Sequence, residues 1–421
     1  MARLLTRGHP SAEAAVQAMI AGTAPHAIVI AGPSGVGKTT LALDLAAGLL
    51  CGAPAPEDRP CRECRGCRLV ERGSHADLHV LRPAGPGNQI RIGDRSDPEP
   101  GTVRRLIAEL ALLPVEGGAR VALVEQADRL NDEAQSALLK TLEEPPAGVT
   151  IVLCADHEDR LLPTVRSRCV RIRLGPVAIR DVEAILAEQG AADAPTAARL
   201  ARLAAGRPGL ARTWALAPEA VIARGEIARS LLDLATAGPA RRLSVGKELL
   251  ARAADVAKAL EAAALPTSIA DELGAKRGRR GAGRGRSGGT TPAPPATESG
   301  PGSADGAGGG DPAAGEDADG EGASGRDTRA PATERRRAAT SLLAIWRDVA
   351  RDLVLVSLGE ERRLRDPAIL DDLRAAGLPV DDVRAFMARL DRTAELLEGN
   401  VSPELAIDSL VLAWPRAERA A

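Results

Sequence analysis

Two groups of residues able to do chemistry stand almost back to back near the start of this chain. The first is Gly32-Pro-Ser-Gly-Val-Gly-Lys-Thr39, which fits the phosphate-loop pattern G-x-x-x-x-G-K-[ST]. Its glycines let backbone N–H groups turn inward around phosphate oxygens, at a helix start whose partial charge favours an anion. In such a loop Lys38 reaches the β- and γ-phosphates, and the Thr39 hydroxyl ligates Mg²⁺. Gly32, Gly35, Gly37 and Thr40 complete the candidate contacts to ATP or ADP. The plainer alternative is a glycine-rich turn carrying a chance Lys-Thr pair.

The second group is the quartet Cys51, Cys61, Cys64 and Cys67. Four thiolates are the ligand count of a closed tetrahedral zinc site, and the C-x-x-C-x-x-C spacing lets neighbouring sulfurs grip one ion from a tight turn. The Pro- and Gly-rich arc 51–60 can bring the fourth ligand back. No position is left for water, which points to structural zinc rather than catalysis. Arg62, Arg65 and Arg68 interleave with the ligands and could offset the negative charge of a zinc tetrathiolate. Disulfides and free buried thiols are the competing readings. With no signal peptide and no apolar span long enough for a membrane helix, a reducing cytoplasm is the expected setting, which disfavours disulfides. Cys154 and Cys169 lie in or beside apolar runs and read as packing.

The elements that must position these groups alternate. Ala27-Ile-Val-Ile-Ala31 is a β-type run before the loop, and Thr40–Ala47 a helix-type run after it. Val121–Val124 and Thr150–Cys154 are short, continuous apolar runs, as in buried parallel strands. Between them Asn131–Leu142 has apolar residues at helical spacing and acids in its first turn, and Pro145-Pro146 stops it. Val170–Leu174 alternates like an edge strand. Strands alternating with helices over about 26–174 predict an α/β P-loop domain with a parallel sheet.

Gly32–Thr39, the four cysteines, Leu138-Leu-Lys-Thr-Leu-Glu-Glu-Pro-Pro146 and Ser167-Arg-Cys169 together resemble the clamp-loader subunits of bacterial DNA polymerase III, an AAA+ family. The phrase Arg160-Leu-Leu-Pro-Thr-Val-Arg-Ser-Arg-Cys169 is most similar to the delta-prime type, and the likeness covers roughly residues 15–175. The resemblance implies a hetero-pentameric ring with tau/gamma-type motor subunits and a delta subunit, loading a sliding clamp onto primed DNA. It also implies that Arg168 is an arginine finger set against the ATP of a neighbouring motor, where a guanidinium stabilises charge on the transferring phosphoryl group. The bland reading of Arg168 is a surface ion pair.

Departures from the motor pattern fall on the hydrolytic side. The strand at 121–124 should end in two acids, one assisting Mg²⁺ and one polarising water, but here the pair is Glu125-Gln126. Glutamine cannot accept the proton, so Glu125 is left to assist the metal and the general base is missing. Asp128, two residues on, reads as a surface or capping contact. Ala155 stands where a polar sensor residue is usual, and Gly209 where a second sensor arginine is expected. Arg207 and Arg212 are out of register for it. The expected protein binds nucleotide, hydrolyses it poorly and completes a neighbour's site. An active tau/gamma-type motor and a small-nucleotide P-loop kinase are the alternatives.

At 421 residues the chain has room for two or three domains. Aromatics are 1% of it, so Ala and Leu must carry the packing, which favours helices. A net charge of −2 advertises neither nucleic acid nor membrane. The expected order is an AAA+ domain over 1–175, a helical lid over 176–218 and an all-α collar over 219–273 and 335–415. A disordered Gly/Pro/Arg/Asp-rich linker at 274–334 interrupts the collar. Its basic run (Lys276, Arg277, Arg279, Arg280, Arg284, Arg286) could touch DNA phosphates or simply be solvated.

Overall fold

The computed structural model describes residues 2–84, 89–116, 118–264, 331–399 and 401–417. Most of the expected linker, and 265–273 of the expected collar, lie outside the described residues. Residues 332–334, assigned to the linker from sequence, are helical.

Five parallel strands form the sheet: β1 (Ala27–Ala31), β2 (Leu78–Leu81), β3 (Arg120–Val124), β4 (Val149–Ala155) and β5 (Val170–Arg173). Their order across the sheet is β2-β3-β4-β1-β5, so the strand feeding the phosphate loop lies between β4 and β5. Every residue of β1, β3 and β4 is buried, which is why those strands read as unbroken apolar runs. Edge strand β5 buries only Ile172. Alternate residues feed opposite cores. Ile28, Ile30, Val121, Leu123, Val152 and Cys154 face a layer with helices α1 (Pro10–Ala21), α2 (Lys38–Leu49) and α3 (Arg65–Glu71). Val29, Ala122, Val124, Ile151 and Leu153 face α4 (Val103–Leu110), α5 (Asp132–Glu143) and α6 (Pro163–Arg166).

Helix α5 starts where Asn131 caps it, its side chain accepting the Ala134 N–H at 2.9 Å. After the sheet come α7 (Ile179–Gln189), α8 (Ala194–Leu203), α9 (Pro208–Leu216), α10 (Pro218–Asp233) and α11 (Pro239–Ala264). Then follow α12 (Ala332–Ser357), α13 (Leu370–Ala375), α14 (Val380–Glu398) and α15 (Pro403–Ala413). One continuous apolar core runs through these helices, from Val177 to Trp414. Three of the chain's four aromatics meet in it, with ring centroids of Trp346, Phe386 and Trp414 4.9–5.5 Å apart. Buried charge also joins α8 and α10 to α12 and the α12–α13 connection. Arg224 bonds Asp348 and Asp366 at 3.0 and 3.2 Å, and Arg199 bonds Asp366 at 3.3 Å. Helix α9 joins the same core through buried Ala211 and Trp214. No helix among the described residues is long and apolar enough to cross a membrane.

Candidate nucleotide loop, cysteine cluster and edge arginine

The phosphate loop hangs between the carboxyl ends of β1 and β4, where the Gly32 N–H donates to the Ala155 carbonyl at 3.1 Å. Gly35 and Gly37 have φ of 81° and 106°, conformations a side chain would strain. The loop's carbonyls face protein donors. Val36 O lies 3.0 Å from His9 Nε2, Gly35 O accepts the Gly209 N–H at 2.8 Å, and Gly32 O and Pro33 O accept from Lys38 Nζ at 2.7 and 2.9 Å. A Cβ at Gly37 would meet nothing within 4 Å, so that side of the loop is open. The shape fits a phosphate. Thr39 and Thr40, both half-buried, sit in the first turn of α2.

The surroundings of the loop are less permissive. Buried Lys38 gives its third donor to Asp156 Oδ1 at 2.5 Å. Glu125 is held by both Nε and Nη2 of Arg82, each at 3.1 Å, so its carboxylate already has a cation. Asp128 is buried and accepts the Asp156 N–H at 2.9 Å, a long-range tie to the end of β4 rather than the surface or capping contact expected. Gly209 begins α9 directly on the loop. A Cβ there would lie 3.1 Å from Gly35 O and 3.2 Å from Gly35 Cα, too close for an arginine to replace it without moving the helix. Arg207 donates instead to Ala204 O at 2.9 Å, and burial among the helices, near Arg365, lowers its pKa.

In the cysteine cluster all four Sγ atoms lie within 4.8 Å of one another. A tetrahedral zinc with Zn–S bonds of about 2.3 Å needs S···S edges of about 3.8 Å, and Cys51 Sγ to Cys64 Sγ is 3.9 Å. The donor set fits structural zinc. Cys64 caps α3 and its sulfur accepts N–H bonds from Cys67 and Gly52 at 3.4 and 3.5 Å. Burial opposes that thiolate, but the N–H donors outweigh it and bring Cys64 down to about 7. Burial raises Cys51 and Cys67. It also pushes Cys154 up to about 12 and Cys169 to about 11, as core thiols should be.

The arginines between the cysteines have other partners than the thiolates. Arg65 pairs with Glu116 at 2.5 Å. Arg62, in the left-handed region at φ 64°, sends its guanidinium to Asp44 of α2 and to Glu71. Asp44 is fully buried and also accepts the Leu5 N–H and both donors of Thr6. The backbone N–H donors, rather than Arg62 or Arg65, are what face the sulfurs.

Arg168 lies in the turn between α6 and edge strand β5. Its Nη1 donates to Thr164 O at 2.9 Å, and its Nη2 pairs with Glu143 at the end of α5. Phosphate loop, cysteine cluster and Arg168 are three separate places on one domain.

A profile of the family described as "DNA polymerase III, delta subunit" matches residues 9–178. Over 146 residues the chain is 40% identical to the DNA polymerase III subunit delta' of Pseudomonas aeruginosa, covering 35% of this chain and 42% of that protein. The Escherichia coli K12 subunit delta' is 35% identical over 202 residues, 48% of this chain and 58% of its own length. Residues 9–178 are thus similar to the delta-prime subunits of DNA polymerase III. The family is related to tau: the Salmonella typhimurium subunit tau is 33% identical over 184 residues, 43% of this chain and 27% of that protein. The chain spans about half the length of the delta-prime relatives it matches.

Within this domain, sequence reasoning missed Asp156, Arg82 and the tie from Arg62 to Asp44. Asp156 carried a signal. It directly follows an apolar strand, and the carboxyl ends of parallel strands are where ligand-facing residues gather.

Proposed function

We propose that the protein is the delta-prime-type subunit of a DNA polymerase III clamp loader, a ring member that helps place a sliding clamp on primed DNA. Its own phosphate loop takes a nucleotide without efficient hydrolysis, and Arg168 completes the site of a neighbouring tau/gamma-type motor. The carrying observation is an intact loop whose hydrolytic surroundings are missing: Gln126 cannot act as a base, Glu125 is paired with Arg82, and Gly209 offers no side chain. Lys38, Thr39 and the loop glycines would hold the phosphates, and a bound Mg²⁺ would screen their charge. The cysteines would hold one zinc that shapes the module and takes no part in chemistry. Arg168 supports the finger role by its place at an open sheet edge, tied among the described residues by a half-exposed carboxylate and nearby oxygens. An exposed pair of that kind contributes at most about 1 kcal/mol, little enough for a phosphate to displace.

The test is a ring reconstituted with motor and delta subunits. Arg168→Ala should slow turnover at the one motor site it completes by roughly 10³–10⁵-fold, and so lower the ring's clamp- and DNA-stimulated ATPase by about that site's share. Unchanged turnover would remove the finger. The intact Gly32–Thr39 loop is the one observation favouring an active motor instead. Steady ATP turnover by the isolated chain with clamp and primed DNA would select that reading.

A further inference from the structure

We propose that Asp156 is a built-in anion for Lys38, and that it makes this loop select nucleoside diphosphates over triphosphates. The inference rests on the reading of Gly32–Thr39 as a nucleotide loop and names the ligand class of that loop.

An ammonium group has three donors. Those of Lys38 go to Gly32 O, Pro33 O and Asp156 Oδ1, at 2.7, 2.9 and 2.5 Å. Two of these acceptors are neutral carbonyls belonging to the loop itself, which a phosphate oxygen can replace. The third is a carboxylate that reaches the loop from β4, 118 residues downstream. In a phosphate loop the backbone N–H groups hold the α- and β-phosphates, while the lysine reaches the β- and γ-phosphates. Here a carboxylate already supplies that lysine with a negative charge.

The backbone of Asp156 is held in place. Its backbone N–H is bonded to the buried carboxylate of Asp128 at 2.9 Å, and the preceding Ala155 pairs with Ala31 in the sheet. Its side chain is about a quarter exposed, and Lys38 is 7% exposed, so water screens the pair only partly. A diphosphate can occupy the loop while Lys38 keeps its bond to Asp156. A triphosphate brings its terminal group to the same lysine and meets a like charge there.

Calorimetry on the full chain with Mg·ADP and Mg·ATP tests this, for wild type and Asp156→Asn. Wild type should bind ADP at least about tenfold tighter than ATP, the lower end of what one like-charge contact near 4 Å produces. Asp156→Asn should strengthen ATP binding by a similar factor and leave ADP nearly unchanged, closing the gap. Asp156→Ser serves as a second variant, and a melting curve for each shows that the domain remains folded. Equal wild-type affinity for the two nucleotides, or a preference that survives both substitutions, overturns the role of Asp156 while leaving the nucleotide loop standing. No binding of either nucleotide by wild type or by the folded variants overturns the loop reading itself, and this inference with it. Wild type that binds neither, with variants that bind ATP, would make Asp156 a block on both nucleotides and overturns the selection of diphosphates.

Discussion

The cysteine cluster and the phosphate loop are neighbours in sequence and opposites in construction. The cluster is made locally. Its four sulfurs come from residues 51 to 67, and the N–H groups that bond them come from the same stretch. The phosphate loop is contiguous too, but its character is decided by residues brought from far away: His9, Asp156 and Gly209. A local site announces both its ligands and its purpose. A loop whose surroundings arrive from other elements announces only its shape, and whether it can act depends on what the fold lays against it.

The largest effect should come from breaking the local site. Cys67 is fully buried and is one of the four cysteines proposed to hold zinc. In small zinc modules, metal binding is worth about 10–16 kcal/mol of apparent free energy. Cys67→Ser should therefore drop zinc from one per chain toward zero, as read by metal analysis, and lower thermal stability by several kcal/mol. Zinc that stays at one per chain would mean that the quartet is not the ligand set.

A smaller loss, of about 3–5 kcal/mol, is expected where the two regions are joined. Arg62→Ala strips the guanidinium from buried Asp44, and removing one partner of a buried pair leaves an uncompensated charge. The N–H donors of Leu5 and Thr6 remain on Asp44 and set the lower end of that range. The cluster should keep its zinc, since no ligand changes, while chemical denaturation shows the stability loss. If zinc is lost as well, the cluster is not self-contained and the contrast between the two regions fails.

The same contrast governs how much was legible in the sequence. Strands β1, β3 and β4 were plain because both their faces are buried, which leaves an unbroken apolar run. The cysteines were plain because metal spacing is short-range. Helix α12 begins three residues before its expected start, because Ala332, Thr333 and Glu334 follow Pro331 as an ordinary first turn but carry no apolar signal. Arg62 was misjudged for a different reason. Spacing places it among thiolates, but the left-handed backbone at that residue turns its side chain toward α2, and backbone handedness at a non-glycine residue leaves no mark in a sequence. Contacts across 118 residues, such as Lys38 with Asp156, leave none either until the strand order is known.

The gentlest test concerns Gly209, where the sequence suggested only a missing arginine. The structure gives the glycine a positive purpose: its N–H bonds Gly35 O at 2.8 Å, and the helix start approaches so closely that a Cβ would press on the loop's backbone. Gly209→Ala should require a shift of a few tenths of an ångström, costing about 1 kcal/mol, because α9 is braced behind by the helical core and cannot swing freely. Global stability should fall by about that amount, and hydrogen exchange at the residue-209 amide should quicken by roughly fivefold, the factor that about 1 kcal/mol represents. Unchanged exchange would show that α9 does not depend on this contact to stay on the loop. Faster exchange with unchanged zinc content would place the weak joint at the phosphate loop, whose closure comes from a distant helix, and leave the cysteine cluster as the part that stands by itself.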